Sequence, residues 1–367
     1  MKILFINNDK GWGGGQEFLL QLAKELRGNG CEIHFVVRGG SPSELRFGEL
    51  GFTIHPAFHT LKTFINLAAI MRREYFDIVS INREHDIPLT VISRFMAFPF
   101  SPFGKVTMNY HIPVARRQYF LGVMNAIVCV SNHIRETVLQ SDPSLADKTL
   151  VIPNGIKISF PVTEEKFTST RQRRYFKDSS FPLIGMVGAF WKNQIELIEC
   201  IPALRDKFPN IKIVFVGDNT EVPLVTPLID KIQELQVESQ VIFTGKVPRE
   251  DISNIFFDLD LSVSTHRNEG FGLVHLESLS TGTPVVCYNE GGQIDIFDGT
   301  GAGVLVDGGP SEFVSEVISL LKDHQRRFDM GRTGVELVRK RFSVEVMTAR
   351  YVEFFFNISG KQIKPAI

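Results

Sequence analysis

The stretch Ser262-Val-Ser-Thr-His-Arg-Asn-Glu-Gly-Phe-Gly-Leu-Val-His-Leu-Glu-Ser-Leu-Ser-Thr-Gly-Thr-Pro-Val-Val286 decides how the rest of the chain is read. Leu261 to Thr265 is apolar and β-branched, which predicts a short buried strand. Glu269-Gly270-Phe271-Gly272 reads as a tight glycine turn, and Leu273 to Thr281 carries apolar residues at helical spacing. Thr281-Gly282-Thr283-Pro284 stops that helix before a second strand at Val285. A strand, a glycine turn and a helix in this order turn backbone N–H groups toward an anion at the helix N-terminus. Glu269 precedes the helix and Glu277 follows with seven residues between them, so both are expected to face one crevice. Carboxylates make poor phosphate ligands but accept hydrogen bonds from sugar hydroxyls well.

The chain around this stretch alternates strands and helices. Lys2 to Asn7 reads as a buried strand, followed by the glycine-rich turn Asp9-Lys-Gly-Trp-Gly-Gly-Gly15, a helix over Gln16 to Arg27 and a strand over Glu32 to Arg38. This opening contains no G-x-G-x-x-G, so it does not indicate a nicotinamide cofactor. Further strands are predicted at 78–82, 105–110, 126–130, 149–152, 183–188, 211–216, 241–244 and 303–306. Ligands of open α/β sheets bind beyond the carboxyl ends of the strands, and His111 follows such an end. From Lys157 to Ser180 the pattern dissolves into prolines, threonines and charges, including Arg171-Gln-Arg-Arg174, which reads as a solvated interdomain connector. Residues 1–160 are therefore expected to form one Rossmann-like domain and 181–343 another, with an amphipathic helix over 344–360 at the end.

The composition agrees with two ordinary domains. The 367 residues are 43% hydrophobic and 22% charged, with a formal net charge of -1, which fits a globular protein and argues against nucleic acid as a partner. Four scattered cysteines lack metal-ligand spacing and read as reduced core thiols of a cytoplasmic protein. The apolar run at the N-terminus is too short for a signal peptide, and no stretch is long enough to span a bilayer. Aromatic and cationic residues alternate in Arg94–Lys105 and recur at Arg116-Arg117. They are read either as a buried loop or as a peripheral contact with the inner face of a membrane.

The run Glu269-Gly-Phe-Gly-Leu-Val-x-Leu-Glu277, followed by Gly-x-Pro-Val-Val, resembles the E-x7-E signature of the retaining family 4 glycosyltransferases. The resemblance implies an α/β protein of GT-B fold, two Rossmann-like domains facing each other across a cleft. Residues 1–160 would lie on the acceptor side, 181–343 would bind the nucleotide sugar, and the last helix would pack back on the first domain. The implied reaction moves a hexose from a UDP- or GDP-type sugar to a carbohydrate or lipid-linked acceptor, in cell-surface polysaccharide or lipopolysaccharide synthesis, without a cofactor. A sugar-nucleotide 2-epimerase on the same fold, or a catalytically impaired sugar-binding relative, is the alternative.

Residue by residue, the resemblance implies that Glu269 bonds hydroxyls of the transferred sugar and Glu277 those of the ribose. Gly270, Phe271, Gly272 and Leu273 would offer backbone donors to the diphosphate, and the backbone near Val247 would meet the base. Gly14 and Gly15 would line the opposite wall, with His111 near the anomeric centre. Lys192, which follows Gly188, resembles the family's phosphate-contacting lysine, so the catalytic candidates are His111, Glu269 and Lys192. The chain departs from the pattern at Ala189, where relatives carry an arginine, and in a shortened loop before Lys192; Arg267 is a candidate substitute. Asp258-Leu-Asp260 is spaced like a D-x-D metal motif. Asp260 directly precedes a buried strand, however, so an ordinary helix–strand junction is preferred and no metal is expected.

Overall fold

Strands joined by crossover helices run in the same direction, and in the computed structural model every strand pairing among the described residues is parallel. The structure describes residues 1–58, 61–97, 104–114, 120–158, 162–168, 171–177 and 181–361, with the backbone alone for 61 and 62. It divides into two units, Met1–Lys157 with Ser343–Ile367, and Ile158–Phe342.

The first unit holds a seven-stranded sheet of β1 (Lys2–Asn7), β2 (Glu32–Arg38), β3 (Thr53–Ala57), β4 (Ile78–Ile81), β5 (Lys105–Tyr110), β6 (Ala126–Cys129) and β7 (Thr149–Val151). Its order is β3-β2-β1-β4-β5-β6-β7, so the direction of strand addition reverses between β1 and β4. The central β1 is apolar on both faces, with Ile3, Leu4, Phe5 and Ile6 wholly buried, as expected of a strand covered by helices on both sides. The helix Gly14–Gly28 buries Phe18, Leu19, Leu22, Ala23 and Leu26. β3 is absent from the sequence reading. It is a half-exposed edge strand containing Pro56, a residue without an N–H to donate and therefore tolerated at an edge.

The last helix, Val344–Ser359, belongs to this unit. Ser343 caps it by accepting the Val346 N–H at 3.3 Å, and the Tyr351 ring lies 5.8 Å from that of Phe18. The chain crosses itself closely here. A Cβ on Gly155 would sit 2.4 Å from the Ser343 carbonyl oxygen, so only glycine fits.

The second unit holds β8 (Leu183–Val187), β9 (Lys212–Val216), β10 (Val241–Gly245), β11 (Leu261–Ser264), β12 (Val285–Tyr288) and β13 (Gly303–Val306), in the order β10-β9-β8-β11-β12-β13. The order reverses between β8 and β11. The helix Gln194–Lys207 buries Leu197, Ile198, Ile201 and Leu204 in a core shared with Ile213, Phe215, Val263 and Val286.

The expectation of a solvated connector over 157–180 is corrected by what its described residues touch. Lys166 is buried, and its ammonium donates to the carbonyls of Phe257 (2.6 Å) and Leu259 (3.2 Å) and to the Thr283 hydroxyl (2.7 Å). Asp258, also buried, accepts the backbone N–H groups of Arg174, Tyr175 and Phe176 at 2.6, 2.6 and 2.8 Å. Asp260 takes Arg171 at 3.1 Å, Arg173 at 3.3 Å and the Leu183 N–H at 2.8 Å. The basic cluster is thus a structural clasp on the second sheet. The charges of Arg171 and Arg173 are met by Asp260, distant in sequence, which a local reading of composition cannot register.

Candidate active site

In open parallel sheets a crevice forms where the strand order reverses, at the carboxyl ends of the strands. In the second unit that point is flanked by the segments after β8 and β11. The first supplies Gly188 and Lys192, and the second supplies Glu269 to Leu273. Lys192 donates to Glu269 at 2.6 Å. Burial alone would raise the Glu269 carboxyl, but the ammonium beside it more than compensates and holds its pKa below the usual carboxylate range. The glycine turn forms as the sequence predicts. Gly272 caps the Leu273–Ser280 helix at φ +106°, and a Cβ there would come within 2.4 Å of the His275 ring. The helix therefore opens with its first backbone donors uncrowded by side chain. Phe271 turns inward and packs its ring 5.8 Å from Phe342.

Glu277 lies on the same helix, one-fifth exposed, with the Arg249 guanidinium 2.8 Å away. Val247 is partly buried against a hydrophobic cluster that includes Val216 and Ile255, two residues after the left-handed Gly245. The structure thus brings Gly188, Lys192 and Glu269–Leu273 together at one switch point. Arg267, named as a substitute for the missing arginine, is engaged elsewhere. It pairs with Glu290 at 2.6 Å and Glu196 at 3.6 Å and stacks 3.5 Å from the Tyr288 ring. The Asp258 and Asp260 carboxylates are taken up by the clasp described above.

The first unit has a matching switch point between β1 and β4. A cavity of about 250 Å³ opens there, lined by Gly15, Gln16, Asn82, Glu84, Tyr110 and His111 among others. Gly15 and His111 therefore share a wall, whereas Gly14 lies one residue earlier, at the start of its helix. The His111 ring packs 4.6 Å from Phe18, and its Nε2 is buried without a hydrogen-bond partner among the described residues. Burial pushes its pKa down to about 4, so the ring is neutral at physiological pH. Asp86, at the head of the Asp86–Ala97 helix, accepts the Asn8 N–H at 2.9 Å and is raised to about 6 by burial.

Several residues of the second-unit site carried no role in the sequence reading. Gly291 and Gly292 support the Glu269 loop. The Gly292 N–H donates to the Glu269 carbonyl at 2.7 Å, and a Cβ on Gly291 would meet the same carbonyl oxygen at 2.8 Å. The Gly-Gly pair after a predicted strand was the available signal. His275 is buried with Nε2 3.0 Å from Gln293 Oε1, and Arg249 had no sequence signal at all. One constellation among the described residues has metal-ligand chemistry, Glu32, His34 and Glu74. The Lys2 ammonium already bridges its two carboxylates at 2.8 and 2.5 Å. No described helix is long and apolar enough to cross a membrane. Of the aromatic stretch, residues 98–103 lie outside the described residues, as do Arg116 and Arg117, while Phe95 is 67% exposed.

Comparison with known proteins covers nearly the whole chain. Residues 12–160 match the family described as Glycosyltransferase Family 4, and residues 168–336 match Glycosyl transferases group 1. An N-acetyl-alpha-D-glucosaminyl L-malate synthase of Bacillus anthracis is 24% identical over 374 residues, covering 94% of each chain. Among solved structures, Anabaena Alr3699/HepE in complex with UDP and glucose superimposes with TM-score 0.78 at 21% identity, over 96% of this chain and 99% of that one. A glycosyltransferase from Rickettsia africae gives TM-score 0.82 at 20% identity, over 97% and 98% of the two chains.

Proposed function

Taking as premise that this chain belongs to glycosyltransferase family 4 and has its GT-B fold, we propose that it transfers a hexose with retention of configuration. The donor is a UDP- or GDP-type sugar, and the acceptor is a carbohydrate or glycolipid of the cell surface. One observation carries this reading: two part-buried carboxylates lie along one glycine-opened helix, Glu269 just before its head and Glu277 in its second turn, each with a cation in contact. The helix head suits a diphosphate. The acids suit the hydroxyls on either side of it, those of the transferred sugar at Glu269 and those of the ribose at Glu277. The Anabaena relative crystallised with UDP and glucose supports the same class of donor.

Departure of the nucleoside diphosphate leaves growing negative charge on the phosphate. Fixed backbone donors from Gly270 to Leu273 and the Lys192 ammonium are the groups proposed to stabilise it, with no metal or cofactor required. In the first unit, His111 and the wall formed by Gly14 and Gly15 are proposed to meet the transferred sugar. A neutral imidazole whose buried nitrogen has no partner among the described residues is suited to a hydrogen bond with a sugar hydroxyl. The exposed Phe95 and Ile112 of the same unit are consistent with a peripheral membrane contact when the acceptor is lipid-linked.

A thermal-shift panel of UDP, GDP, ADP and their hexose conjugates tests the proposal. One nucleotide series should raise the melting temperature at micromolar to millimolar concentration, because a ligand that binds only the folded state stabilises it. A flat response across the panel would overturn the donor assignment. Incubating the stabilising sugar nucleotide with and without acceptor oligosaccharides then reads transfer directly.

A further inference from the structure

The turn between β8 and the Gln194–Lys207 helix holds two aromatic residues with opposite fates. Phe190 is 6% exposed and packs its ring 5.7 Å from that of Phe243. Trp191 is 60% exposed. A lone exposed apolar residue needs no explanation, but this one sits on a turn whose backbone is held by hydrogen bonds. The Gly188 N–H donates to Val216 at 2.9 Å, the Lys192 N–H to the Ala189 carbonyl at 3.2 Å, and the Gln194 side chain to the same carbonyl at 2.7 Å. Asn193 is fixed in a left-handed conformation at φ +62°, its side chain donating to the Thr265 carbonyl at 3.2 Å while its own carbonyl accepts the Thr265 hydroxyl at 2.7 Å. The turn is thereby tied to the end of β9 at Val216 and to the segment after β11 at Thr265.

The indole also borders the proposed donor-binding residues. The Lys192 ammonium, itself 2.6 Å from Glu269, lies 5.6 Å from the centre of the Trp191 ring. His266 meets the ring edge-on at 5.4 Å with an interplanar angle of 87°. An indole surface carried on a hydrogen-bonded turn, open to solvent and near a carboxylate suited to hydroxyls, has the chemistry of a pyranose subsite. The axial C–H groups of a hexose lie against the aromatic face while its equatorial hydroxyls reach polar neighbours. We propose that Trp191 is the stacking platform for a hexose ring in this active site, a role that rests on the donor assignment above. The ring it holds is either the hexose of the donor or that of the acceptor.

The chain contains two tryptophans, and Trp12 is half-buried with Arg46 4.3 Å over its ring. Trp12→Phe therefore leaves Trp191 as the sole tryptophan emitter. In that background, the sugar nucleotide or the acceptor should quench or shift the emission beyond the change that the nucleoside diphosphate alone causes through Lys192 beside the ring. Independently, Trp191→Ala should weaken binding of the stacked sugar about tenfold while affinity for the free nucleoside diphosphate stays within twofold. Trp191→Phe should recover most of the loss. A loss confined to the sugar nucleotide assigns the platform to the donor, and one confined to the acceptor KM assigns it to the acceptor. Unchanged affinity for both sugars in Trp191→Ala, with the nucleotide still bound, overturns this inference and leaves the donor assignment standing. If the wild-type protein binds no nucleotide, the donor assignment falls first and this inference with it.

Discussion

The Lys192 ammonium lies 2.6 Å from a carboxylate oxygen of Glu269, with the two side chains only 19% and 18% exposed. This pair joins the segment after β8 to the segment after β11 and puts both charges where a sugar diphosphate is proposed to bind. Lys192→Ala should lower kcat about a hundredfold, equivalent to about 3 kcal/mol for one lost contact to a developing negative charge. It should also move the acid limb of the pH–rate profile. Burial raises the Glu269 carboxyl and Lys192 lowers it, so removing the lysine leaves burial to dominate. The residual activity should then fall away at a higher pH than in the wild type. An acid limb that does not move would show that Glu269 ionisation does not control turnover.

Glu277 and Arg249 form a pair of a different kind. Arg249 is 67% exposed and Glu277 19%, and ion pairs with a solvent-exposed partner contribute little. Arg249→Ala should leave the melting temperature nearly unchanged and nucleotide affinity within about threefold. Glu277→Ala removes the acceptor proposed for the ribose hydroxyls and should weaken nucleotide binding at least about tenfold. Calorimetric titration of both variants with the nucleotide selected by the thermal-shift panel separates the two residues. Equal losses would mean that Arg249, not the acid alone, recognises the nucleotide.

How much of this was legible beforehand follows from how local each signal is. The strand–turn–helix of Leu261–Ser280 was readable because its cues, β-branched residues, glycines and helical spacing, sit within twenty residues of one another. The buried core strands β1, β2, β5 and β12 were found for the same reason. β3 was missed because an edge strand that is half-exposed and contains Pro56 has neither a buried run nor clean alternation. The role of residues 171–176 is not legible locally because it depends on Asp258 and Asp260, more than eighty residues away. The Lys192–Glu269 contact spans a similar separation. Only the resemblance to a family, not periodicity, placed those two residues at one site.

The clasp yields a test of its own. Asp258 accepts three backbone N–H groups from Arg174–Phe176, and hydrogen bonds to a buried charge are the strong ones. Asp258→Ala leaves three donors unpaired and should destabilise the second unit by about 3 kcal/mol or more. The readout is trypsin. Arg171, Arg173 and Arg174 should resist cleavage in the native protein and become cut sites in the variant, since cleavage needs a locally opened chain. Rapid cutting at these arginines in the wild type would restore the view of this segment as a free connector.

His275 links the site to the pH dependence of folding. Its Nε2 is 3.0 Å from Gln293 Oε1, and Gln293 donates its amide to the Tyr288 carbonyl at 2.6 Å. Gln293 Oε1 is therefore the acceptor, and His275 is a neutral imidazole protonated on Nε2. Its Nδ1 is buried with no partner among the described residues. Burial depresses its pKa from 6.5 to about 4. The sign of the linkage follows directly. Above pH 6.5 neither the folded nor the unfolded state carries the proton. As pH falls below 6.5 the unfolded state takes it up and the folded state does not until about pH 4, so stability rises with pH across this window and is lost on acidification. The shift corresponds to about 3 kcal/mol by the bottom of the window. Urea unfolding of the second unit at pH 7 and pH 4.5, compared between wild type and His275→Gln, isolates this residue from His111 and His55, which burial depresses in the first unit. The glutamine variant cannot take up the proton in either state, so its loss between the two pH values should be smaller than that of the wild type by most of this amount. Parallel losses in the two proteins would show that His275 is charged in the fold, and the tautomer derived from Gln293 would then be wrong.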